Sequence, residues 1–203
     1  DDAVGACRLS DGGYELDVHI ADVSRYVSWG SSIDLEARAR TCSVYLVDRV
    51  LPMLPERLCN NLCSLRPQED RLVVSVRMRL DAEGAICSAQ AVKAVIRSAA
   101  RLSYEQVDDL LEGKVSQGSL VMGDAAQQSS LVLMLETLDE IRAKRQKIRC
   151  KRGAIDFETV ETRMLLDAEG RATGVSVRRR TRATNLIEEA MLLANESVAK
   201  MLA

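Results

Sequence analysis

The chain has 203 residues, of which 47% are hydrophobic and 29% are charged. This balance is typical of a globular domain and excludes a disordered or membrane-embedded chain, since no apolar run is long enough to span a bilayer. Its 28 basic and 30 acidic residues give a net charge of −2, so nucleic-acid binding would need local clusters of positive charge. A chain of this length does not need disulfides to hold a core, and we therefore expect its six cysteines to be reduced, as in the cytoplasm.

Alternation of apolar and polar residues predicts strands that pair into hairpins. A first strand follows the turn residues Asp11-Gly12-Gly13, and two hairpins each turn through the sequence Asp-Ala-Glu-Gly. The predicted strands cover residues 14–23, 72–80, 86–96, 158–166 and 172–180. Because the two turns are short, their identity indicates shared turn chemistry rather than a duplication.

Helical spacing and capping residues predict helices between these strands. The proposed helix starts are Ser32 or Asp34, Pro55, the capping box that opens with Ser103, and Thr184 or Asn185 for the last helix; Asp124 opens a long amphipathic helix that runs to about residue 151. The mixed order of elements predicts an α+β fold, in which a mixed, mainly antiparallel sheet is covered by helices.

His19 is the only histidine and falls on the polar phase of the first predicted strand. A general base for a nucleophile needs a partner side chain, and none is apparent in the sequence. We therefore favour a partly exposed strand histidine over a catalytic base.

The adjacent carboxylates of Asp1 and Asp2 form a candidate metal site, because Mg²⁺ selects oxygen ligands with negative charge. An acidic pair at a terminus is more often simply solvated. On the residues alone, the metal role stays the weaker of the two interpretations.

Positive charge is concentrated in two places. Residues 142–152 hold seven basic side chains in eleven, and residues 178–182 hold four arginines in five, including Arg178, Arg179 and Arg180. Such clusters either neutralise phosphates or place cations at a helix end, where they favourably meet the helix dipole. The two interpretations are equally good for the first cluster, whereas the second exceeds any capping need and indicates phosphate contact.

Phe157 is the only phenylalanine and lies just beyond the first basic cluster. An aromatic ring beside cationic residues is suited to stacking on the bases of a single strand. A lone phenylalanine is more often a core residue, so this position alone decides nothing.

Seven further segments form a recognisable series, and the first of them contains His19-Ile20-Ala21-Asp22-Val23-Ser24. They are residues 18–27, 43–45, 48–55, 62–65, 94–98, 100–104 and 186–195. Together, and in this order, they resemble the catalytic domain of the ribonuclease II and ribonuclease R family, in particular its bacterial ribonuclease R branch. The resemblance covers essentially the whole chain and identifies residues 1–203 as the N-terminal and central part of such a domain.

The resemblance implies a processive 3′-to-5′ exoribonuclease that hydrolyses single-stranded RNA to nucleoside 5′-monophosphates with Mg²⁺. It implies RNA as the partner, without a preference for DNA and without a membrane. Members of this family can also lose carboxylates and keep the RNA channel, so the alternative is a non-catalytic RNA-binding or regulatory protein.

The resemblance also assigns roles to individual residues. Asp1 and Asp2 match the last pair of the family's four metal-binding aspartates. Tyr45 and Phe157 are similar to the aromatic clamp that stacks on bases near the 3′ end. Tyr104 and Glu188 are similar to the residues that contact the terminal sugar, and Glu188 stands beside Glu189 without obvious cationic neighbours.

Three family features are not found in the sequence: the first two aspartates, the later arginine-rich block and the flanking oligonucleotide-fold domains. We therefore expect a piece truncated at both ends. Two Mg²⁺ ions bridging a phosphate need several carboxylates. The 203 residues alone are accordingly expected to be weakly active or inactive.

Overall fold

The computed structural model describes residues 2–114, 125–155 and 161–203. Its largest sheet has four antiparallel strands in the order β1-β2-β5-β6. The strands are β1 (Asp2–Arg8), β2 (Tyr14–Ala21), β3 (Val44–Tyr45), β4 (Val50–Leu51), β5 (Asp70–Leu80), β6 (Ile86–Arg97), β7 (Glu161–Leu166) and β8 (Ala172–Arg178). The pairs β3–β4 and β7–β8 form separate hairpins.

In the described ranges, four α-helices accompany these strands, which confirms the predicted α+β class. They are α1 (Ser32–Arg40), α2 (Tyr104–Leu111), α3 (Ala125–Lys151) and α4 (Arg182–Leu202). Within the described ranges, no helix is both long enough and apolar enough to cross a membrane.

The main core lies between one face of the sheet and the helices. Alternate residues of β2 and β5 point to this face, and apolar side chains of α3 and α4 cover them. The most deeply buried members are Leu16, Val18, Met78, Leu80 and Leu193. The two-residue alternation in the sequence is thus the direct result of one covered and one more exposed face.

A smaller apolar cluster covers one end of the opposite face. It joins Ala21 and Val73 of the sheet to Leu58, Cys63 and Leu65. These three come from the segment after the second proline of the Pro-x-x-Pro sequence, where the expected helical turn forms and includes a π-type turn at Leu58–Leu62. The rest of this face stays largely polar.

The two long hairpins turn by the same chemistry. The carboxylates of Asp81 and Asp167 each accept backbone N–H hydrogen bonds from residues two and four positions later, at 2.8–3.1 Å. Gly84 and Gly170 adopt φ values of 86° and 78°, which favour glycine. Both predicted hairpins are confirmed, with β7 beginning at Glu161 in the described part.

Two of the predicted helix starts are wrong, whereas the Ser103 capping box is confirmed. The Thr181 hydroxyl accepts a hydrogen bond from the Thr184 backbone N–H, and the Thr184 hydroxyl accepts one from the Thr181 backbone N–H. Thr181 therefore caps helix α4, and Thr184 lies inside the helix. Helix α1 is capped by Ser31 rather than by Ser32 or Asp34. In both cases the capping residue has an extended backbone, and the sequence pattern did not locate this change of conformation.

Ion pairs join α3 to α4 and use much of the first basic cluster. Arg145 is buried and bonds Glu196 at 3.1 Å, Arg149 bonds Glu189, and Arg152 bonds Glu196 at 3.4 Å. For these arginines the structure supports a role in helix packing. The alternative of phosphate contact is correspondingly weaker for this cluster.

Asp139 of α3 is a further buried charge at this contact. Its side chain is 11% exposed, and it accepts hydrogen bonds from Arg142 at 2.7 Å and from Arg182 at the start of α4. Burial raises the pKa of Asp139, but the hydrogen bonds from Arg182 and Arg142 outweigh burial and lower it overall. The ionised carboxylate therefore stabilises the folded state.

We predict that Asp139→Asn lowers the free energy of unfolding by about 3–5 kcal/mol at neutral pH, because it leaves two guanidinium groups without their buried partner. Since the folded-state pKa is lowered, this contribution is complete above the unfolded pKa and is lost as pH falls through the folded pKa. Urea unfolding at several pH values measures it. Asp70→Asn, which removes an exposed partner of Arg97, is the control and should change stability little. Equal losses of stability in the two variants would contradict the stabilising role of the buried Asp139 carboxylate.

Candidate active site

A cleft of about 550 Å³ opens where the start of β1 meets the helices. Residues 96–104, which join β6 to α2, form one wall, and side chains of α3 and α4 form an apolar wall. The polar side chains that line it are Asp2, His19, Ser64, Arg97, Ser98, Arg101, Ser103 and Tyr104. A concave site with an apolar wall and few polar groups is the usual form of a ligand pocket.

Asp2 is the first described residue of β1, and its exposed side chain lies on the cleft. Asp1, the other member of the predicted metal pair, lies outside the described residues. Within the described ranges, no group of three or more His, Cys, Asp or Glu side chains is placed to hold a metal ion. One or two carboxylates together with substrate phosphates and water are nevertheless the usual ligands of Mg²⁺. The donor chemistry of Asp2 therefore fits that ion.

Tyr104 lies in the same cleft because of the way α2 begins. It is the first residue of the helix, directly after the Ser103 cap, and it is partly exposed. The capping box fixes the start of α2 and with it the position of the phenol. Of the predicted site residues that the structure describes, Asp2 and Tyr104 are thus brought into one cleft.

Two cleft residues were missed as site candidates at the sequence level. Arg101 is exposed and, in the described part of the chain, makes no ion pair, unlike Arg97, whose Nε lies 2.8 Å from an Asp70 carboxylate oxygen. His19 lines the cleft from β2, where the sequence indicated a partly exposed strand residue. Arg101 could have been recognised as a candidate from its position three residues before Tyr104. It was overlooked because basic residues are more concentrated at 142–152 and 178–182.

Glu188 lies in a separate, smaller pocket between the C-terminal half of α3 and the start of α4. Its carboxylate pairs with Arg180 and is 3.9 Å from Arg149. The expectation that Glu188 lacks cationic neighbours is therefore wrong, because the sequence does not reveal that the chain folds Arg149 and Arg180 beside it. Its neighbour Ile187 lines the larger cleft, so the two pockets border the same turn of α4.

The remaining predicted contact residues are dispersed. Tyr45 is 79% exposed on the β3–β4 hairpin and does not line the cleft. Arg179 is exposed, while Arg180 faces Glu188. Phe157 and the side chain of Arg178 lie outside what the structure describes.

The sequence of this chain is similar to those of known proteins. The sequence matches the RNB domain over residues 1–203. The chain belongs to the RNB domain family. It is 42% identical over 201 residues to ribonuclease R 1 of Lactococcus lactis, covering 98% of this chain and 24% of that protein. The chain thus spans about a quarter of the length of this relative.

Solved structures of RNB proteins share the fold. RNase R of Mycoplasma genitalium, in complex with ribose-methylated single-stranded RNA, superposes with a TM-score of 0.91 at 35% identity, over 99% of this chain and 30% of that one. A yeast pseudonuclease superposes with a TM-score of 0.71 at 24% identity, over 98% of this chain and 23% of that one, and shows the fold alone. The RNB fold is therefore present both in ribonucleases and in a protein described as a pseudonuclease.

Glu189 is the buried residue of the adjacent pair Glu188 and Glu189, and its removal should lower stability. Glu189 is 5% exposed and bonds Arg149, whereas the Glu188 side chain is about one-third exposed. We predict that Glu189→Ala lowers the free energy of unfolding by about 1–3 kcal/mol, since Arg149 loses its nearest buried partner. Glu188→Ala should cost clearly less. Denaturant unfolding of both variants is the measurement, and a larger loss for Glu188→Ala would contradict the assigned burial.

Proposed function

We propose that this RNB domain serves a 3′-to-5′ exoribonuclease that hydrolyses single-stranded RNA and releases nucleoside 5′-monophosphates. The observation that carries the proposal is the cleft, which joins an exposed carboxylate at Asp2 to a phenol at Tyr104 and to Arg101, a cation with no ion pair among the described residues. A carboxylate suits a divalent ion, an arginine suits a phosphate, and a phenol both donates and accepts hydrogen bonds. Family membership supports the same function.

In this proposal Asp1 and Asp2 would hold Mg²⁺, and the Asp2 carboxylate lines the cleft. When bound, the ion supplies an activated water molecule for attack on the phosphodiester. Strand β1 positions Asp2, because its pairing with β2 sets Asp2 opposite Ile20. Pairing along the whole of β1 holds the carboxylate at the cleft before RNA arrives.

RNA recognition is divided among several parts of the surface. We assign base stacking to Tyr45 and Phe157, since aromatic rings stack on any base, and the ring of Tyr45 is exposed. Tyr104 and Glu188 contact the terminal sugar, whose 2′-hydroxyl distinguishes RNA from DNA. We also assign phosphate contacts to Arg178, Arg179 and Arg180, the last of which would have to exchange its partner Glu188 for a phosphate, and to Arg101 in the cleft.

We place the protein in the cytoplasm. None of the six cysteines is joined in a disulfide, and four of them are exposed. Free, exposed thiols persist in a reducing compartment, which supports this location.

The second candidate function is RNA binding without catalysis. The observation that favours it is the shared fold of the yeast pseudonuclease, which shows that an RNB fold does not guarantee nuclease activity. The two candidates differ in one respect that an experiment resolves: a nuclease depends on Asp2 for turnover, whereas a binding protein does not turn over RNA.

We predict that the intact protein releases nucleoside monophosphates from a 3′-labelled single strand and that Asp2→Asn reduces the rate by at least about 100-fold, because a metal ligand is lost. RNA affinity should stay within about threefold, since phosphate contacts supply most of the binding free energy. Glu83→Gln is the matched control, as it removes an exposed carboxylate in the β5–β6 turn at the other end of the sheet. Wild-type protein that binds RNA without degrading it would contradict the nuclease and support the second candidate.

A further inference from the structure

His19 occupies a position in the cleft that the proposed chemistry leaves without a role. In the register of the sheet it lies opposite Ala3 of β1 and Ser75 of β5. It is half-buried and lines the same cleft as Asp2 and Arg101. A ligand in the cleft would therefore lie beside His19.

The hydrogen bond to Ser75 determines which ring nitrogen carries the proton. Nδ1 of His19 lies 2.7 Å from the Ser75 hydroxyl oxygen, and Ser75 is 4% exposed. Within the described part of the chain, this hydroxyl has no other hydrogen-bond partner. If Nδ1 carried the proton, the Ser75 hydroxyl hydrogen would be buried without an acceptor, which is costly. Ser75 therefore donates to Nδ1, and the ring proton resides on Nε2.

The electrostatic surroundings keep the ring uncharged at neutral pH. Burial lowers the pKa of His19; Asp17 raises it by less, and Arg77 lowers it further. A neutral ring has one N–H and one acceptor nitrogen. Because Ser75 uses the acceptor, the ring has a single hydrogen-bond donor left, at Nε2.

We propose that His19 is a substrate-binding residue whose Nε2–H donates to a nonbridging phosphate oxygen of the nucleic acid in the cleft. Among the described residues, no protein acceptor reaches Nε2. Arg97 and Arg101 line the same cleft, so the phosphates of a bound nucleic acid would also be near their guanidinium N–H donors. This inference rests on the proposed function, since it takes RNA as the ligand, and it adds Ser75 as the residue that positions the ring.

The test measures the affinity of the intact protein for a single-stranded RNA oligonucleotide in a chelator, where no divalent ion is available for cleavage. His19→Ala should weaken binding about tenfold, as expected for loss of a hydrogen bond to a charged group. His19→Gln should restore most of the affinity, because its amide N–H can donate. Ser75→Ala should weaken binding about threefold, since the ring is then free to hold its proton on Nδ1.

Matched measurements separate this role from a merely structural one. ¹⁵N NMR of histidine-labelled protein should show Nε2 protonated in the wild type, with the His19 signal assigned by its absence in His19→Gln. The tenfold loss should also occur with DNA of the same sequence, because both nucleic acids have phosphates. Loss with RNA alone would overturn the phosphate assignment in favour of the sugar. Unchanged binding by His19→Ala, or a proton on Nδ1, would overturn the inference.

These measurements distinguish failure of this inference from failure of the proposed function. Wild-type protein that binds and degrades RNA, with His19 variants that match it, rejects the role of His19 and keeps the function. Wild-type protein that binds no RNA rejects both.

Discussion

The apolar side of β2 and β5 has to be covered, and this requirement organises the whole domain. Leu16, Val18 and Met78 are fully buried because α3 and α4 lie across them. At roughly 1.5–3 kcal/mol for each large apolar side chain removed from water, this face supplies the main stabilisation of the fold. With α3 and α4 held there, β1 and the connection into α2 border the remaining space, and that space is the cleft.

Charge is arranged around the same helix pair. The arginines of α3 mostly meet carboxylates of α4, and Asp139 meets an arginine from each helix. An arginine that is already paired has less to offer a phosphate, because binding would have to replace an existing partner. In the part of the chain that the structure describes, the cleft has by contrast an arginine without an ion pair, Arg101, and a histidine whose Nε2–H has no acceptor, His19. A few available groups at a concave site therefore matter more for recognition than the total number of basic residues.

Much of the fold could be predicted from the sequence because it depends on local patterns. Strand alternation, the Asp-Ala-Glu-Gly turns and the Ser103 capping box each act within a dozen residues. The ion pairs join residues such as Arg149 and Glu189, which are 40 positions apart, and no local pattern reveals such a contact. The same limit explains why Glu188 was expected to lack cations. Cleft residues were only partly predictable: the family resemblance indicated Asp2 and Tyr104, whereas His19 and Arg101 became candidates through their position in the fold.

We propose that the cleft between β1, α2 and α4 receives the 3′ end of single-stranded RNA. Photo-crosslinking can test this, with 4-thiouridine placed at either the 3′ or the 5′ terminus of an oligonucleotide and the intact protein kept in a chelator. We expect the 3′ probe to crosslink to cleft residues, with Tyr104 among the modified positions, and the 5′ probe not to do so. Crosslinks of the 3′ probe exclusively outside the cleft would contradict it.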